Sequence, residues 1–314
     1  MSQSTAASDR TGLDDVIKAV PLRRPGRWIA AGVLIVLLVL FIYGAATNSA
    51  YYWSTYRTYL LDQRFTKAAL ITLELTVISM AIAIVLGVVL AVMRMSDNPV
   101  LKSVAWLYLW LFRGTPVYVQ LVFWGLITNI YGHLDLGVPF LVQFVHLKTG
   151  SWLTPFVAAF IGLGLNEAAY MAEIVRAGIG SVDEGQHEAA VALAMTWPQT
   201  MRRIVLPQAM RVIIPPTGNE VISMLKTTSL VVAVPLSTDL YAVANSIGGL
   251  LYRPIPLLLV ASTWYLAVTS LLMIGQYYLE KRYSRGSSRT LTDKQLQALA
   301  TAQGPVEHGV GGHG

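Results

Sequence analysis

Cysteine is missing from all 314 residues, which excludes a disulfide framework, a thiolate metal site and a thiol nucleophile. Charge is scarce as well: Asp, Glu, Lys and Arg make up 13% of the chain, against 54% apolar residues and a mean hydropathy of +0.55. Soluble domains carry roughly twice that share of charge, so the composition points to a helical membrane protein with several spans and no bulky soluble domain. Chemical motifs are lacking too. No GxxxxGK[ST] run occurs, so the chain cannot cradle a nucleotide by that device, and there is no G-x-S-x-G nucleophile elbow. His187-Glu188 opens like a zinc-binding HExxH helix, but Val191 stands where the second histidine belongs. No metal or cofactor is expected on this chain, and His308 and His313 read as solvated. The formal charge of +6 is that of basic loops on one side of a membrane rather than of a nucleic-acid surface.

What is present is a series of long apolar blocks. Residues 1–27 are a polar leader with Arg10, Lys18, Arg23, Arg24 and Arg27, of the composition of a disordered or surface-bound segment. Residues 28–46 are uninterrupted apolar sequence, long enough to cross a bilayer and too long for a secretory h-region, so an uncleaved anchor is expected. Residues 47–67 bring Tyr51, Tyr52, Trp53, Tyr56 and Tyr59, a belt suited to the water–lipid boundary. The core, 68–282, predicts spans at 68–93, 104–131, 152–174, 212–236 and 255–279. Ala83, Gly87 and Ala91 form a small-residue seam for close helix packing. Thr115 as an N-cap and Pro116 at the first helical position predict a break inside the third span. Pro215-Pro216 would open the fifth. Residues 132–151 and 237–254 read as loops, and 283–314 as a polar tail.

Six spans place both termini on one side. A cytosolic leader puts sixteen basic residues on that side: its own five, then Arg94, Lys102, Arg176, Arg202, Arg203, Arg211, Lys281, Arg282, Arg285, Arg289 and Lys294. Opposite lie five, Arg57, Arg64, Lys67, Lys148 and Arg253. The bias predicts cytosolic termini.

Residues 181–207 are too polar to cross a bilayer and read as two short helices joined by a turn. Asp183 or Ser181 can cap the first, Thr196 with Pro198 can start the second, and Pro207 would close it. Ala189, Ala190 and Leu193 make an apolar face suited to a groove on another protein. The spacing of Glu188-Ala189-Ala190 to Ile204, Leu206 and Pro207 resembles the EAA coupling loop in permease subunits of ATP-binding-cassette importers. Ala194 departs from that pattern, which has Gly; a turn needing positive φ would be strained by Ala. Four further runs, 112–121, 166–176, 202–211 and 224–230, are similar to the polar amino acid branch, the type serving histidine, glutamine and arginine uptake.

The likeness covers 66–282, about two thirds of the chain. It implies an all-α membrane protein of about six transmembrane helices: a five-helix type I importer core, with 28–46 as an extra N-terminal helix. It implies a bacterial cytoplasmic membrane, a second permease copy or a sister permease, and an extracytoplasmic substrate-binding protein. ATP and Mg would sit on separate ATPase subunits docked at Glu188, Ala189, Ala190, Ala194, Ile204, Leu206 and Pro207. The chain itself would move a polar amino acid without being an enzyme.

Glu74, Arg113, Glu167, Glu173, Glu220 and Lys226 fall within or at the ends of apolar blocks, where a charge at mid-span costs ~2.5–3.5 kcal/mol. Asn166, Tyr170 and Glu173 share one helical face with Glu167 beside it, and Asn219, Ser223 and Lys226 share another. The candidate substrate path is Glu74, Arg113, Thr115, Asn166, Glu167, Asn219, Glu220 and Lys226. Carboxylates would meet the cation of an amino acid, and Arg113 or the N–H groups after Thr115 its carboxylate. Pairing with one another or capping of broken helices is the competing role, strongest for Glu173 with Arg176. Two other classes use the same residues. An ion-coupled carrier would take Glu74, Glu167 or Glu220 as its proton site. A membrane-embedded enzyme would need the nucleophile and metal motifs that are missing.

Overall fold

The computed structural model describes residues 25–138 and 142–283, with backbone only for 134–147. Expectations for 1–24 and for the tail from 284 lie outside the described residues. The chain divides between Tyr51 and Tyr52 into two units. In the first, apolar sequence without a break gives one long helix, α1 (Pro25–Thr47), followed by a 3-10 turn, Ser49–Tyr51.

The second unit begins with α2 (Trp53–Leu60) and α3 (Gln63–Met95). Asp62 caps α3: its Oδ1 accepts the N–H of Arg64 at 2.8 Å while the Arg64 guanidinium reaches both carboxylate oxygens, which holds the Asp62 carboxyl below its usual range. α4 (Pro99–Gly114) and α5 (Val117–Ile130) follow, then a hairpin of β1 (His133–Val138) with β2 (Val142–Lys148) and a single turn, α6 (Thr149–Trp152). α7 (Pro155–Gly180) leads to α8 (Glu184–Ala192) and α9 (Trp197–Thr200). A π-turn, Met201–Val205, joins α9 to α10 (Leu206–Thr227), which passes into a 3-10 turn, Thr228–Ala233. α11 (Leu240–Leu250) and α12 (Pro254–Tyr283) complete the unit.

The core is built on α3 against α7. Ala83 and Ala91 are fully buried, and a Cβ added at Gly87 would lie 2.5 Å from Met171 Cβ and 3.1 Å from the Ala172 backbone. The small-residue seam thus lets two backbones approach where a larger side chain would hold them apart. α10 packs against both helices, and Leu75 of α3, Leu163 and Met171 of α7, Met224 of α10 and Val231 of the 3-10 turn share one core.

Among the described residues four helices are long and apolar enough to cross a membrane: Gly26–Thr47, Gln63–Met95, Pro155–Gly180 and Pro254–Tyr283. The other two crossings are assembled from pieces, α4 with α5 and α10 with its 3-10 turn.

Several boundaries differ from the sequence reading, each for a local reason. The break in the third span is present, but Pro116 is the N-cap of α5 and the Thr115 hydroxyl donates back to Leu111 O at 2.8 Å. Pro207 and Pro215-Pro216 do not bound helices. In the π-turn Leu206 N–H bonds five residues back to Met201 O, and this wider register absorbs Pro207. Deeper in α10, Gln276 Nε2 on α12 donates to Pro215 O at 2.8 Å. Trp197 to Thr227 is therefore continuous helical backbone.

The stretch 237–254 holds α11, capped by Asp239 Oδ2 on the N–H groups of Tyr241 (3.0 Å) and Ala242 (3.3 Å). The stretch 132–151 holds the hairpin, pairing Leu134 with Leu147 and Leu136 with Val145. The period-two alternation of Leu and Val there is a strand signal.

Candidate coupling and translocation sites

The polar hairpin between α7 and α10 is shaped by its caps. Asp183 Oδ1 accepts Gly185 N–H at 2.9 Å to start α8, and Gln199 Oε1 accepts Thr196 N–H at 2.9 Å to start α9. α8 ends in a paired set of bonds, Met195 N–H to Ala190 O (3.0 Å) and Ala194 N–H to Val191 O (2.9 Å), with Ala194 left-handed at φ 52°. This is the terminating geometry that normally carries glycine. The departure at Ala194 thus falls on a position whose backbone does require positive φ.

Side chains sort by face. Glu188 and Ala189 are exposed, as are Leu206 and Pro207; Ile204 is half-buried. Ala190 is fully buried, so it belongs to the packing of the hairpin rather than to its outer surface, while Leu193 and Val191 are each 75% exposed and Trp197 nearly as open. The exposed apolar tip is therefore Ala189, Val191, Leu193 and Trp197. Trp197, a bulky aromatic within a polar run, was the available signal for the part of this tip that motif spacing missed. Gln208 Nε2 on α10 reaches Gln186 Oε1 on α8 at 3.4 Å, tying the tip to the rod behind it.

Inside the bundle the candidate path residues separate into three groups. Asn166 Nδ2 donates to Phe112 O (3.0 Å) and Gln120 Oε1 (3.2 Å), and Gln120 Nε2 donates to Phe112 O, Thr115 O and Thr115 Oγ1. These groups satisfy carbonyls freed where α4 stops and α5 begins. Gln120, not singled out from sequence, is the centre of that network.

Glu173 gathers a second group. Its carboxylate pairs with Arg94 from α3, with Arg176 Nε (2.8 Å) and with Arg113 Nη1 (3.4 Å), whose guanidinium also lies 5.4 Å from the centre of the Tyr170 ring. Arg113 is thereby engaged with α7.

Glu167 and Glu220 form the third. Glu167 is 8% exposed with Oε1 lacking any hydrogen-bond partner, and the Glu220 carboxylate on α10 approaches it within hydrogen-bonding reach. Neither is ion-paired among the described residues. Two carboxylates this close repel unless a proton or a cation lies between them. Glu74 is exposed in the first half of α3, and Asn219 and Lys226 are exposed on α10. No group of three or more His, Cys, Asp or Glu able to hold a metal ion occurs among the described residues.

Residues 83–285 match the family model described as the binding-protein-dependent transport system inner membrane component. The chain belongs to that family. This permease is 58% identical to the arginine transport system permease protein ArgU of Corynebacterium glutamicum over 307 residues, 98% of this chain and 95% of that one. It is 36% identical to the L-cystine transport system permease protein TcyL of Bacillus subtilis over 71% of this chain and 88% of that one. Among solved structures, an amino acid ABC transporter with histidines superimposes at a TM-score of 0.58 with 33% identity, covering 70% of the permease and 94% of that chain. The inward-facing MetNI methionine transporter, at 18% identity and a TM-score of 0.56, covers 70% of the permease and shares the fold. The permease is thus an integral inner-membrane protein with an importer-type helical core.

Proposed function

We propose that this permease is the translocating subunit of an ATP-driven importer for a cationic amino acid of the arginine kind, with the α8 tip docked in the cytosol on a separate ATPase. The observation that carries the substrate class is the Glu167–Glu220 pair: two facing carboxylates in the bundle with no protein cation between them are matched by a guanidinium or an ammonium. The 58% identity to an arginine permease supports the same class. A second permease copy or a sister permease would cover exposed Glu74, and an extracytoplasmic binding protein would deliver the cargo. The positive-inside bias supports an α8 end facing the cytosol, where the ATPase subunits would carry the ATP and Mg.

Glu167→Gln should lower arginine uptake at least tenfold in the reconstituted transporter while membrane insertion and complex assembly stay normal. Unchanged uptake kinetics in that variant would remove the pair from the path. Uptake that follows an imposed proton gradient and ignores ATP would instead favour an ion-coupled carrier.

A further inference from the structure

α10 and α12 run antiparallel and leave a groove of about 440 Å³ between them, away from the α7 side of α10 where Glu167 and Glu220 meet. The groove carries opposite charges at its two ends. Lys226 lies exposed near the C-terminal end of α10, and Glu280 lies half-buried just before the end of α12, toward the α8 end. Asn219 and Lys226 are seven residues apart on α10, as are Met273 and Glu280 on α12, so the charges are separated by ~10 Å of helix.

Glu280 is held at the mouth of the groove: its Oε1 accepts from Gln276 Nε2 at 2.8 Å, and that amide also donates to Pro215 O. Neither Lys226 nor Glu280 has an ion-pair partner among the described residues. An unpaired lysine at membrane depth is costly and persists where something anionic or aqueous meets it.

We infer that this groove is a second, inward-opening site for an α-amino acid with a long cationic side chain, held head to tail. The amino acid carboxylate meets the Lys226 ammonium and the side-chain cation meets Glu280. Asn219, Ser223 and the Tyr277 hydroxyl line the stretch between and serve the α-amino group. A short zwitterion cannot bridge both ends. The inference rests on the cargo being a cationic amino acid, and it adds a site on the way out, after the acidic pair.

The test is equilibrium binding of labelled arginine to the complete transporter in nanodiscs, purified through a tag on this chain, without ATP and without binding protein. The parent should bind arginine saturably at two sites per chain, the acidic pair and the groove, and alanine should not compete at the groove. Lys226→Gln and Glu280→Gln should each weaken one of the two sites about tenfold or more and leave the other, which Glu167→Gln weakens, as in the parent. Agmatine, which lacks the carboxylate, should be weakened by Glu280→Gln and indifferent to Lys226→Gln.

No binding to the parent, or parent-like binding in both variants, overturns the site. An effect of Lys226→Gln without one of Glu280→Gln also overturns it, and marks Lys226 as the contact of an anionic lipid. ATP-driven uptake separates the two proposals. Normal arginine uptake by the parent with parent-like binding in both groove variants removes the groove and leaves the cargo intact. A parent that imports no arginine removes the cargo itself.

Discussion

Ala194 sits in a left-handed turn that suits glycine, and its methyl group costs about 1–2 kcal/mol there. Ala194→Gly should therefore raise the stability of the α8 turn by about 1 kcal/mol, after the greater chain entropy of glycine is subtracted. Slower amide exchange at position 194 and at Met195 is the readout, and faster exchange would contradict it. Gly87 is the opposite case. Its missing side chain is what lets α3 meet Met171 and Ala172, so Gly87→Ala should destabilise the bundle by about 1–3 kcal/mol, seen as a lower melting temperature of the solubilised protein. Both positions were legible in the sequence, one as a departure from a motif and one as a small-residue seam. Gln120 was not, because a glutamine in an apolar run says nothing of the three acceptors at Phe112 and Thr115 that the fold brings around it.

At the scale of elements, three helices are pinned at one carboxylate. Arg94 ends α3, Arg113 ends α4, and Glu173 and Arg176 lie on α7. Glu173→Gln leaves three guanidiniums facing one another. The solubilised protein should lose heat stability, more at low salt than at high salt, because mobile ions screen the repulsion. A melting temperature equal to the parent's at low salt would show that the cluster holds nothing together. The sequence displayed the local half of this arrangement, Glu173 with Arg176 at i, i+3. Contacts from Arg94 and Arg113 depend on how α3 and α4 cross α7, which no pattern within a single helix encodes. Helix ends misread at Pro207 and Pro215-Pro216 have a related cause. A proline marks a missing N–H, but whether the helix stops depends on a π-turn or on a glutamine from another helix.

For the whole molecule, apolar block lengths gave the spans to within a few residues, because a bilayer leaves backbone polar groups no alternative to helix. The two stretches read as loops, 132–151 and 237–254, hold the hairpin and α11, which hydropathy does not register. The central claim is mechanical: continuous helical backbone from Trp197 to Thr227 joins an exposed apolar tip to the bundle interior, so force applied at the tip reaches Glu220 and Lys226. The absence of native cysteine makes this directly testable, since any introduced thiol is unique. Single-cysteine Leu193→Cys should cross-link in native membranes to a nucleotide-hydrolysing subunit, with a yield that changes when ATP is added, whereas Ala190→Cys, buried beneath the tip, should not. A properly inserted Leu193→Cys protein that never captures an ATPase would contradict the account.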